Sequence, residues 1–177
     1  MKGGHSWGDE VDYTISYEKS FEDFDLELSV AYFDCLKFFN KEGDAFDIKA
    51  NFSKEIELSE SQTITPFAEF NYYILRQDNS GGLDGLVVEA GLKHSIELWS
   101  EYVTLVQQIS IIHDCGAFNS DSGNILKYQA SLEYEVSNYL TFDIGAQAWK
   151  MLSSFSSDSR GIDGDQLIWF AGAKLSF

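Results

Sequence analysis

Apolar and polar residues alternate along this chain with period 2, segment after segment. From Leu86 to Leu98 the even positions are Leu86, Val88, Ala90, Leu92, His94, Ile96 and Leu98. The odd positions are Val87, Glu89, Gly91, Lys93, Ser95 and Glu97. A strand sends two such sets to opposite faces, whereas the 3.6-residue period of a helix would mix them. The same split separates Phe24, Leu26, Leu28, Val30 and Tyr32 from Asp25, Glu27 and Ser29. It also separates Leu140, Phe142, Ile144, Ala146 and Ala148 from Thr141, Asp143, Gly145 and Gln147. No segment carries a helical stripe. The pattern predicts nine strands, at 10–20, 24–34, 45–58, 64–76, 85–98, 103–113, 125–137, 140–152 and 166–177, in one domain spanning residues 1–177. The sixth alternates weakly, because Val106 and Ile112 stand in its polar phase.

The connections alternate too. Tight turns follow the odd-numbered strands, at Ser20–Asp23, Ser59–Thr63, Trp99–Tyr102 and Asn138-Tyr139. Longer loops rich in Gly, Asp, Ser and Asn follow the even-numbered ones, from Cys35, Gln77, Asp114 and Ser153. An up-and-down meander then puts every short turn at one end and every long loop at the other. Transmembrane barrels of the outer membrane have this asymmetry. Most of the strands reach the roughly 9–11 residues that a tilted strand needs to cross a bilayer. The expected fold is therefore all-β, an antiparallel up-and-down transmembrane β-barrel. Nine strands with Phe177 on the short-turn side put Met1 on the long-loop side. An even-stranded barrel of ten or more would then need at least one strand upstream of Met1.

Composition narrows the function. A formal charge of −17, from 12 Lys+Arg against 29 Asp+Glu, leaves nothing to neutralise a nucleic-acid backbone. With 44% hydrophobic and 15% aromatic residues the chain is far from a disordered composition. No apolar run approaches the roughly 18 residues of a spanning helix. Alternation alone does not say which face meets water, and a soluble calycin-type barrel holding an apolar ligand is the alternative reading. Lys19, Lys54 and His94 fall in the apolar phase near the short-turn end, where a cation facing lipid is least costly. Tyr17, Phe24, Trp99, Tyr102, Tyr139 and Phe177 gather at that end, and Tyr32, Phe46, Tyr72, Tyr128 and Trp169 toward the other. Two aromatic belts are what two lipid–water interfaces select.

The last strand alternates Leu167, Trp169, Ala171, Ala173, Leu175 and Phe177 against Ile168, Phe170, Gly172, Lys174 and Ser176. It resembles the C-terminal signal of bacterial outer-membrane barrels, with Trp169, Leu175 and Phe177 as the residues that the barrel-assembly machinery would read. The hairpin of Gly8–Tyr17 and Leu26–Phe33, with Glu10-Val11-Asp12 at its opening, resembles a family of bacterial outer-membrane porins of uncharacterised function, the Gcw_chp or TorF-like family. The resemblance implies an outer-membrane location, lipid as surroundings, passage of a solute, and no catalytic residues. Members of that family begin with a signal peptide and further strands before this hairpin, and this sequence shows neither.

The polar phase supplies the expected pore lining: Asp47, Lys49, Glu69, Glu89, Lys93, Lys127, Glu133, Asp143 and Lys174. Such a surface can form a buried lattice of carboxylate–ammonium pairs, or an open channel whose acidic excess favours cations. Enzymatic chemistry is not expected. His94 and Ser95 are strand neighbours and point to opposite faces, so they do not form a base–nucleophile pair. His113-Asp114 stands at a loop edge. The long loops hold Asp78, Asp84, Asp114, Asp121, Asp158, Asp163 and Asp165; Asp158 to Asp165 does not match EF-hand spacing, and no cofactor or metal is expected. Cys35 and Cys115 fall at the same end, where a disulfide is open to test.

Overall fold

Alternating sequence of this kind can satisfy its backbone only by pairing with neighbours, and it does so in one continuous sheet. A computed structural model describes residues 10–35, 45–75, 85–98, 102–115, 122–137, 139–152 and 165–175. Its elements are β1 (Glu10–Ser20), β2 (Asp25–Cys35), β3 (Ala45–Ser53), β4 (Ile56–Ser59), β5 (Gln62–Leu75), β6 (Gly85–Glu97), β7 (Val103–Asp114), β8 (Gly123–Ser137), β9 (Leu140–Met151) and β10 (Gln166–Leu175). Every pairing is antiparallel between strands consecutive along the chain, apart from β3 passing over β4 to reach β5, which makes the sheet an up-and-down meander. Short connections close one end: Phe21 N–H donates to the Phe24 carbonyl at 2.8 Å, and Leu98 N–H to that of Val103 at 2.8 Å. The strands after β2, β5, β7 and β9 are reached from the opposite end.

The registers bring all the apolar phases to one face. Ile15 pairs with Val30, Val30 with Ile48, Ile48 with Tyr72 and Tyr72 with Leu86. Farther along, Ile109 pairs with Tyr128, Tyr128 with Ala148 and Ala148 with Leu167. A slip of one residue at any interface would have inverted the two faces. The sheet is a single layer among the described residues, yet Ser29, Asn71, Glu89, Ser110 and Ser131 on the polar face are buried. A sheet curled with its polar face inward accounts for this burial. The apolar face is convex and open: Ile15 is 82% exposed, Ile144 62% and Trp169 75%.

Two features shape the curl. Glycines stand on the inner face where strands crowd: a Cβ on Gly145 would come within 2.6 Å of the Phe170 ring and 2.7 Å of Ser131 Cβ. One on Gly91 would run into the Ile109 carbonyl and lie 2.6 Å from Ser110 Cβ. The strands are also staggered. The row of direct partners Glu18, Glu27, Asn51, Glu69, Glu89, Ile112, Ile125, Met151 starts near the short-turn end of β1. It runs out at the far end of β9. Such a progressive shift is the shear that a closing cylinder requires.

Two expectations are corrected. The strand expected at 45–58 is two strands, β3 and β4, although β4 begins in the same register against β5. The break falls at Lys54-Glu55, opposite Pro66. Lys54 N–H reaches the Pro66 carbonyl at 3.2 Å, but proline has no N–H to return the bond on that side. The sheet is also open rather than closed. Nine strands lie on the hydrogen-bonded path, so its edges β1 and β10 run in the same direction and cannot form an antiparallel pair.

Candidate functional site: the polar concave face

Side chains on the concave face are brought together from β2, β3, β5, β6, β7 and β8. At its centre Glu89, 9% exposed, receives three donors on one oxygen. Lys127 Nζ lies 2.7 Å from Oε1, Ser110 Oγ donates to it at 2.6 Å and Gln108 Nε2 at 2.9 Å. Lys127 stands two strands away, in the row Gly91, Ser110, Lys127. The absent and small side chains of Gly91 and Ser110 leave its ammonium a clear run to Glu89. Lys49 Nζ pairs diagonally with Glu27 Oε1 at 3.0 Å, and Asn71 Nδ2 donates to Glu69 Oε1 at 2.6 Å. A cavity of about 370 Å³ opens beside these groups, lined by Asn51, Glu69, Glu89, Lys93, Gln108 and Lys127 with Phe67, Ser53 and Thr65.

Of the expected lining, Asp47, Lys49, Glu69, Glu89, Lys93, Lys127, Glu133 and Asp143 all lie on this face, buried or half-buried. Lys174 is in backbone register with Thr141, which is the same face. The pairing of charges is sparser than expected. Two ion pairs form among the described residues, Lys49–Glu27 and Lys127–Glu89. Like charges meet directly at Glu18 and Glu27, Glu69 and Glu89, and Glu133 and Asp143, an arrangement that opposes sheet pairing. Asp47 Oδ1 and Asn51 Oδ1 are buried with no donor. Nor is the face polar throughout. Val106, Ile112, Ile125, Trp149, Met151, Ile168 and Phe170 line it on β7 to β10, opposite in character to the charged wall on β2 to β6. Val106 and Ile112 signalled this wall in the sequence as breaks in alternation, and Trp149, Ile168 and Phe170 were equally visible there.

The convex face carries its polar groups at its borders. Lys19 Nζ sits 4.9 Å over the Phe21 ring, and Lys54 Nζ donates to the Glu22 carbonyl. Lys54 lies two residues beyond the Lys19 row, and His94 two beyond the Lys54 row, so the three follow the stagger of the sheet around one circumference. At the opposite border His113 Nδ1 lies 2.9 Å from Asn124 Oδ1. Gln107 interrupts the face midway, where Tyr128 Oη donates to its Oε1 at 3.0 Å. Rings form two series, Tyr13–Tyr32–Phe46 with centroids 6.5 and 4.9 Å apart and Phe24–Phe52–Phe70 at 6.0 and 6.2 Å.

Trp169 projects from the convex side of β10, and Leu175 is in register with Leu140. Phe177 lies outside the described residues, as do Trp99, Asp78, Asp84, Asp121, Asp158 and Asp163. Cys115 is a free, exposed thiol, and the side chain of Cys35, its candidate partner, lies outside those described. No cluster of His, Cys, Asp and Glu able to hold a metal occurs among the described residues. No family model, curated protein or solved structure matches the chain.

Proposed function

We propose that the protein is an outer-membrane β-barrel protein of porin-like type, its convex face in lipid and its concave face enclosing a polar passage for small solutes. One observation carries this reading. The large apolar side chains of the convex face point outward into the open, while the buried residues, Glu89, Asn71, Ser29, Ser110 and Ser131 together with Ala31, Val106 and Ile125, all lie on the concave face. Soluble monomers rarely expose contiguous apolar patches beyond a few hundred Å², and here the apolar face runs across the whole sheet. A soluble barrel holding an apolar ligand needs the reverse arrangement, with leucines and phenylalanines around the hollow.

Dimensions support the same surroundings. The 11 residues of β1, at about 3.3 Å each and a tilt of about 40°, climb through about 28 Å, against an apolar band of about 25 Å in known membrane barrels. The border positions of Lys19, Lys54 and His94 suit the depth at which a cation costs about 0–1 kcal/mol. One further strand antiparallel to both β1 and β10 would complete the cylinder. The acidic excess on the inner face favours cations over anions. Planar-bilayer recording tests this function: cation-preferring channel events are expected, and either silence or anion preference would remove the pore.

A further inference from the structure

The inner cavity holds one anion, Glu69, and one cation, Lys93, neither in an ion pair among the described residues. Glu69 accepts a neutral hydrogen bond from Asn71, and its second oxygen has no donor among the described residues. Beside it in the same row stand Asn51, whose Oδ1 is buried with no donor, and Glu89. All three donors to Glu89 fall on Oε1, and none on Oε2, among the described residues. Acceptor oxygens of three groups on adjacent strands thus face one space without a donor among the described residues.

Lys93 lines the other end of that cavity, half-buried, with no carboxylate within ion-pair distance among the described residues. It is in register with Thr65, four residues from Glu69 on β5, or about 13 Å along the strand. Glu69 and Lys93 therefore line the cavity from positions separated along the strands. A half-buried charge without a partner is costly, and a solute bearing both signs would relieve both at once.

We propose that this cavity is a binding subsite for a small zwitterion of the α-amino-acid class. Its ammonium sits among Glu69, Glu89 Oε2 and Asn51 Oδ1, and its carboxylate on Lys93. The site rests on the reading that the concave face encloses a polar passage, and it names what that passage holds.

Titration of the detergent-folded chain with L-alanine, ethylammonium and acetate tests it. L-Alanine should bind at least about tenfold more tightly than either half-ligand, since each end adds a charge-assisted contact. Lys93→Met should erase the advantage over ethylammonium, and Glu69→Gln the advantage over acetate. Lys93→Arg should keep both. Equal affinities for the three probes, or an alanine preference that survives in both variants, would overturn the site and leave the membrane reading standing. A chain that stays folded in water without detergent would overturn both.

Discussion

Glu89 is tolerated in the curl of the sheet because three donors converge on it, and Lys127 is the one that carries charge. Removing that ammonium leaves a mostly buried carboxylate on two neutral donors. Lys127→Met should therefore cost about 3 kcal/mol, read as a shift in the urea midpoint of vesicle-inserted protein. Glu89→Gln/Lys127→Met should be more stable than Lys127→Met alone, and a double variant no better than the single one would contradict the pairing. The sequence reading had both residues on the polar face, since period 2 decides that directly. Their partnership was not legible. It joins strands that are not neighbours, and it depends on two registers and on the small residues Gly91 and Ser110 lying between them.

Among the elements, strand positions follow the alternation to within a residue or two at most ends, because strands this long average over local exceptions. The exception was Pro66. A single proline inside a strand is the recognised sign of a missing ladder bond, and the break it causes appears on the partner strand, at Lys54-Glu55, rather than on its own. The inner-face glycines were read only as polar-phase positions, although what they supply is room. Two of them make a contrast. At Gly145 the obstacles are the Ala130 carbonyl, Ser131 and the Phe170 ring, whereas at Gly172 they are the carboxylate atoms of Asp143, which can swing aside. Gly145→Val should cost about 3 kcal/mol or abolish folding, and Gly172→Ala less than about 1 kcal/mol. Denaturant titrations of the two variants check this, and equal losses would mean that the sheet is not crowded at β8–β9.

For the molecule as a whole, the decisive property is which face meets which solvent. Alternation alone left two answers, because polar-in and polar-out barrels share one sequence pattern. Curvature separates them, and the sequence carries curvature only indirectly, through stagger and glycine placement. The outward apolar face makes a substitution diagnostic. Ile48 on the convex face is 46% exposed and lies six residues from the border at Lys54, so in water Ile48→Lys should change stability by less than about 0.5 kcal/mol. Against lipid near mid-depth the same change should cost about 2–4 kcal/mol, and that larger loss, measured by unfolding from vesicles, is the outcome expected here.

The most direct measurement uses Trp169, which is 75% exposed on the convex face, against Trp149 on the concave one. Two single-tryptophan variants, each with the other three tryptophans replaced by phenylalanine, would be reconstituted into vesicles whose acyl chains carry bromine. Contact with those chains should extinguish most of the Trp169 fluorescence and leave that of Trp149 largely intact. An unquenched Trp169, or a Trp149 quenched as strongly, would contradict an apolar face immersed in hydrocarbon.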